Sequence, residues 1–165
     1  MRMGEESNVN TPYKSSFRLI HELKDRVGTE LGLSDWCLIL QEDINTFGRL
    51  TNDEQWIHVD EERCSKESPF KKPVAHGFFI LSLASRFAYE CFEIKELAMG
   101  LNYGLNKVRF ITAVTAGSRI RGRISLISYE DIPHGAKYIM NFVIELEGQE
   151  KPACVAEIIG HGYHK

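Results

Sequence analysis

The run Phe78-Phe-Ile-Leu-Ser-Leu-Ala-Ser-Arg-Phe-Ala-Tyr-Glu-Cys-Phe92 constrains the fold of this chain more than any other stretch. It is too long for a strand and too uniformly apolar for a helix with one face in water. It therefore predicts a helix enclosed by other elements, the spine of a core. Downstream of Gly100 the apolar period changes from helical to two: Val108, Phe110 and Thr112, then Ile120, Gly122, Ile124 and Leu126, then Tyr138, Met140, Phe142, Ile144 and Leu146. These are half-buried antiparallel strands, and Ala153 to Ile159 is a last strand, apolar on both faces. Asp131-Ile-Pro-His-Gly135 and Glu147-Gly-Gln-Glu-Lys-Pro152 supply the turns between them. Helices first and strands afterwards make the class α+β, an antiparallel sheet wrapped around one long apolar helix.

The upstream half is less regular. Residues 1 to 14 are polar, hold Pro12 and show no periodicity, so they read as a flexible lead-in to a single domain spanning 15 to 165. Phe17, Ile20, Leu23 and Val27 recur at helical spacing from Ser16, with Gly28 as a stop. Trp36-Cys-Leu-Ile-Leu40 reads as a short strand, and Ile44, Phe47 and Leu50 mark a short helix begun at Glu42-Asp43. Residues 51 to 75 read as loop, apart from a helical turn opened by Asp60.

Charge and cysteine usage exclude several functions. Twenty basic and 23 acidic side chains leave a net charge of -3, which attracts neither a nucleic-acid backbone nor an anionic membrane. The opening residues have no apolar run of signal-peptide type, and no stretch approaches the ~20 apolar residues of a membrane span, so a soluble cytoplasmic protein is expected. Cys37, Cys64, Cys91 and Cys154 lie far apart, without a Cys-x-x-Cys pair, and read as reduced packing residues.

Two stretches carry residues suited to chemistry. In Leu50-Thr-Asn-Asp-Glu-Gln-Trp-Ile-His-Val-Asp60, Asp53 and His58 sit five apart in a loop-like segment with Trp56-Ile57 as an apolar wall. A carboxylate and an imidazole so placed hold one water between them, the minimum equipment for adding water to a double bond or removing it. The same spacing also arises from a solvated pair or a turn cap. In Pro73-Val-Ala-His-Gly77, directly ahead of the apolar helix, Gly77 offers a backbone N–H where unpaired amides favour a developing negative charge. The alternative is that Gly77 lets the chain approach the sheet closely while His76 caps the helix.

Thr51-Asn-Asp-Glu-Gln-Trp-Ile-His58, Pro73-Val-Ala-His-Gly77 and Asn102-Tyr-Gly-Leu-Asn-Lys-Val-Arg-Phe110 together resemble the MaoC-like dehydratases, the family of the (R)-specific enoyl-CoA hydratases. Gln55-Trp56-Ile57-His58 and the Asn102 block look most like its nodulation-protein-N-like branch, and the resemblance runs over roughly residues 28 to 163. It implies a hot-dog fold and a homodimer; no cofactor and no metal are expected. It also implies an acyl-CoA or acyl-carrier-protein thioester as substrate, with Asp53 and His58 activating the water and Gly77 holding the thioester carbonyl. Gln55, Trp56 and His76 are the expected substrate contacts. Two positions depart from the family's motif: Asn52 precedes the aspartate, and Gln55-Trp56 replaces Asn-Pro. Asn52 is a mild change, because asparagine tolerates left-handed backbone.

Other features read as ordinary surface or core. Arg119, Arg121 and Arg123 alternate on one strand face, expected to be solvated or, with Lys71-Lys72, to meet coenzyme A phosphates. His161-Gly-Tyr-His164 has no nearby carboxylate or thiol to complete a metal site, and Cys64 lacks an orienting third group. Three functions compete: a hydratase or dehydratase of enoyl thioesters, a hot-dog acyl-thioesterase, and a non-catalytic acyl-thioester-binding domain.

Overall fold

The computed structural model describes residues 10–164. Strands β1 (Tyr13–Phe17), β2 (Glu30–Leu33) and β3 (Cys37–Leu38) precede helices α1 (Gln41–Thr51), α2 (Trp56–Val59), α3 (Glu61–Glu67), α4 (Gly77–Ser82) and α5 (Ala84–Cys91). Then come β4 (Phe92–Ile94), β5 (Leu97–Phe110), β6 (Arg119–Ile132), β7 (Gly135–Leu146) and β8 (Cys154–His164). The sheet runs β4-β1-β2-β6-β7-β8-β5, with β3 paired to β6; β1 and β4 are parallel and the other pairs antiparallel. The architecture is the α+β class expected. The β6–β7 turn falls where the sequence put it, with His134 at φ 63 and Ile132 facing Gly135.

The apolar run forms α4 and α5 in succession, joined at Leu83, which keeps right-handed helical backbone. Ile80, Ala84, Phe87 and Cys91, spaced four, three and four, are buried in one core with Ile124, Leu126, Met140 and Phe142 of the sheet. Phe87 lies over Gly122, where a Cβ would fall 2.5 Å from the Phe87 Cβ. One sheet covers only one face, however. Phe78 and Tyr89 stand 72% and 81% exposed, so the segment is not enclosed on every side as its composition suggested.

Three upstream readings change. The expected helix from Ser16 is instead strand β1 followed by a 3-10 helix over Ile20–Arg26. Phe17, Ile20 and Leu23 are buried as their spacing required, but a period of three suits either helix type, and the pairing of β1 with β2 and β4 leaves no mark on side-chain spacing. Gly28 ends the segment at φ 81, as expected. Tyr13 and Lys14, assigned to the lead-in, pair with Leu33 and Gly32; residues 1–9 of that lead-in lie outside the described residues. Within 51 to 75, Asp60 does open a helix, its carboxylate accepting from the Arg63 amide, and α2 adds a turn ahead of it.

Of the three arginines of β6, Arg119 is exposed as expected, but Arg121 and Arg123 do not face solvent. Arg121 is 5% exposed, lies over the Trp36 ring and donates to Glu145 and Asn10. Arg123 donates to Glu145 and Glu30, and Arg119 to Glu147. Antiparallel register places the acids opposite the bases, so β6 and β7 satisfy each other and these guanidinium groups are committed within the fold. Burial alone would raise the Glu145 carboxyl, but its bonds from Arg123 and Arg121 hold it below the usual range. All four cysteines are free and buried, and no helix among the described residues is long and apolar enough to cross a membrane.

Candidate active site

Four short elements meet at Asp53. Helix α1 ends where Asn52 turns left-handed at φ 57, donating to Arg49 and Gly48, and the Asp53 amide then bonds to the Gly48 carbonyl at 3.0 Å. That cap fixes the backbone of Asp53 while its side chain stays 57% exposed. The segment ahead of α4 is tied to α2 twice: the Val74 amide donates to Ile57 at 2.9 Å, and the Val74 carbonyl accepts from His58 Nδ1 at 2.5 Å.

The second bond decides the chemistry of His58. A carbonyl oxygen can only accept, so Nδ1 carries the proton and Nε2 keeps its lone pair. Burial lowers the His58 pKa below the ordinary 6.5; the Val74 bond and Asp53 oppose this, and the neighbouring His76 reinforces it. Asp53, His58 and His76 each offer a ligand atom, all within 4.8 Å of one another, a separation that one water bridges with two hydrogen bonds. This is the grouping among the described residues that could hold a divalent ion, although two of its imidazole nitrogens already bond to backbone carbonyls.

Gly77 is the first residue of α4, and the first intrahelical donor is Ile80, bonded to the His76 carbonyl at 3.1 Å. The amides of Gly77, Phe78 and Phe79 precede it, as at any helix start. A Cβ on Gly77 would lie 2.8 Å from the Phe110 ring of β5. Gly77 thus stands at the helix start and in close approach to the sheet. The His76 side chain makes no capping bond.

The remaining expected contacts are spread out. Gln55 is exposed ahead of α2, and Trp56 is half-buried beneath the Arg63 guanidinium, 4.3 Å from the ring centroid. His76, expected at the substrate, is 3% exposed: its ring stacks on His58 at 3.8 Å and faces Phe47 at 5.1 Å. Sequence reasoning missed Val74, whose carbonyl sets the His58 tautomer, and Gly48, which lies against Asp53 and His76. A glycine inside the helical pattern of α1 was the available signal for the second; nothing local marks Val74.

An apolar cleft of about 280 Å³ runs beside α5, between Ser85, Ala88 and Tyr89 on the helix and Leu101 and Asn102 on β5, floored by Met140. A smaller one continues it to Leu81 and Leu105, toward the end of the helical segment that Gly77 opens. Asp53 and His58 line neither.

Comparison with known proteins identifies the family. The MaoC like domain model matches residues 22–141. The chain is 43% identical over 145 residues to a Mycobacterium tuberculosis protein named 3-hydroxyacyl-thioester dehydratase Z, covering 87% of this chain and 95% of that one. It is 41% identical over 149 residues to nodulation protein N of Rhizobium leguminosarum bv. viciae, covering 85% and 91%. An (R)-hydratase structure from A. caviae superposes with a TM-score of 0.65 at 17% identity, over 81% of this chain and 94% of that one, and shares the fold. A matched domain model and two relatives aligned over most of their length show that the chain belongs to the MaoC-like domain family.

Proposed function

We propose that the protein is an (R)-specific hydratase/dehydratase of acyl thioesters, adding water to trans-2-enoyl-CoA or enoyl carrier protein and removing it in reverse. The observation that carries this reading is the pairing of a His58 ring whose Nε2 lone pair is left open by the Val74 bond with the Asp53 carboxylate, each offering a ligand atom within 4.8 Å of the other. Water held between them adds its oxygen to C3, and the electron pair of the double bond moves toward the thioester oxygen, which faces the Gly77 amide. Asp53 and His58 together take one proton from the water and return one to C2, so one water is added and nothing else is consumed. The cleft along α5 is suited to the acyl chain, and Gln55 and Trp56, which lie between Asp53 and His58 in the chain, are assigned to the reacting end. The 43% identical relative is named for dehydration of a 3-hydroxyacyl thioester, which supports the same substrate class here.

Purified protein given crotonyl-CoA and longer trans-2-enoyl-CoAs is expected to remove the conjugated-enoyl absorbance and yield mainly the (R)-3-hydroxyacyl product by chiral analysis. Release of free thiol without hydration would put the thioesterase reading first, a mainly (S) product would remove the stereochemical assignment, and binding without turnover would leave a carrier-binding domain.

The pH profile follows from His58. Its imidazole accepts a proton only in the base form, and its lowered pKa preserves that form below pH 6.5. The acid limb of kcat/KM should therefore inflect below 6.5 rather than at or above it. Between the folded pKa and 6.5 the unfolded chain binds more protons, so this group's contribution to stability is lost as pH falls through that window. An inflection above 6.5 would assign the limb to another group.

The fold also favours a second copy. β5 is a 14-residue edge strand on which Met99, Leu101, Tyr103 and Leu105 are exposed, and Phe78 and Tyr89 lie exposed on the helical segment. A bare apolar edge of that length is a pairing template, and β5 against β5 closes it with two-fold symmetry. Light scattering at micromolar concentration should give a homodimer; a stable monomer would exclude this pairing.

A further inference from the structure

We propose that His76 is a positioning residue whose Nε2–H grips the Asp53 backbone carbonyl, setting where the Asp53 carboxylate stands relative to His58 Nε2; this rests on the hydratase reading above.

His76 Nε2 lies 2.8 Å from the Asp53 carbonyl oxygen, and since that oxygen only accepts, Nε2 carries the proton. The ring is held on both sides, stacked on His58 at 3.8 Å with 26° between planes and tilted against Phe47 at 5.1 Å. Its other nitrogen, Nδ1, is buried with no hydrogen-bond partner among the described residues. A residue kept only for packing would not leave a polar atom unpaired, because methionine or leucine fills such a space without that cost. The arrangement is explained if the imidazole is retained for its Nε2–H. Gly48 completes the grip from below: a Cβ there would lie 3.1 Å from the Asp53 carbonyl oxygen and 3.5 Å from His76 Cε1. Asp53 is otherwise anchored through its own amide to Gly48, so the His76 bond is what holds the carbonyl end of the peptide that carries the exposed carboxylate.

A steric role and a gripping role separate by substitution. Glutamine places an N–H where His76 Nε2 stands, whereas methionine fills the space and donates nothing. His76→Met is expected to lower kcat about 10²-fold with KM nearly unchanged, the scale of a misplaced catalytic group. His76→Gln should recover most of that loss. Gly48→Ala approaches the same grip without touching His76. Alanine is the better residue inside a helix, so the melting temperature should hold or rise while kcat falls about tenfold through the crowded carbonyl.

All three variants are compared with the parent in the enoyl-CoA hydration assay, with melting curves run alongside. An inactive parent overturns the functional reading and this role with it. An active parent with His76→Gln no better than His76→Met, or with His76→Met fully active, overturns the grip alone. Should both His76 variants fail to fold, Gly48→Ala decides: full kcat at unchanged melting temperature removes the proposal.

Discussion

Asp53→Asn and His58→Ala are each expected to lower kcat by on the order of 10²-fold or more, the scale of lost acid/base catalysis, and the double variant should lie near the worse single one. If both side chains hold the same water, removing either loses its position, and the second removal has little left to take. Asp53→Asn is the informative half. The amide nearly preserves shape and some hydrogen bonding, and Asp53 is held through its backbone to Gly48 and His76, so the fold should not register the change. His58→Ala also removes the donor to Val74 and half of the stack on His76, and its melting curve must be native before its rate is interpreted. Multiplying losses, or an Asp53→Asn variant with most of its activity, would sink the shared-water mechanism.

Phe87→Ala should cost about 3–5 kcal/mol, the usual range for emptying a buried aromatic site, and a large share of the roughly 5–15 kcal/mol that stabilises a domain. Phe87 is fully buried in the α5–sheet core, against a glycine that has no side chain to fill the hole. Gly122→Ala attacks the same contact by overpacking, with an expected cost of about 1–3 kcal/mol. Denaturant melts at one fixed protein concentration measure this, because association would otherwise contribute. A cost of about 1 kcal/mol or less for Phe87→Ala, the size of an ordinary point change, would mean that α5 does not carry the core.

The legibility of this fold varied with the reach of the interactions. The strands from β6 onward were readable because alternation of buried and exposed side chains is written residue by residue, as in Tyr138, Met140, Phe142 and Ile144; β5 is exposed along most of its length and Phe110 is not half-buried as expected. The stretch from Ser16 was misread because β1 is held by backbone bonds to β2 and β4, and backbone bonds have no residue code. Arg121 and Arg123 of β6 were misread for a related reason. Their partners Glu30 and Glu145 are distant in sequence and become neighbours only through the strand register.

At the site, the sequence by itself determined which groups are candidates for the reaction. Asp53, His58 and Gly77 were named by residue type and motif, and Asn52 by its tolerance of the left-handed turn that ends α1. Tertiary structure alone decided their states and aim. The Val74 carbonyl, brought against α2 from sixteen residues away, puts the His58 proton on Nδ1 and leaves Nε2 open. His76, adjacent to Gly77 in sequence, is turned away from the surface and bonded to the Asp53 backbone twenty-three residues earlier. Motifs record which groups a reaction needs, because the chemistry fixes their kind. Protonation, orientation and burial depend on what surrounds each group, and for this site those neighbours come from chain segments that only folding brings together.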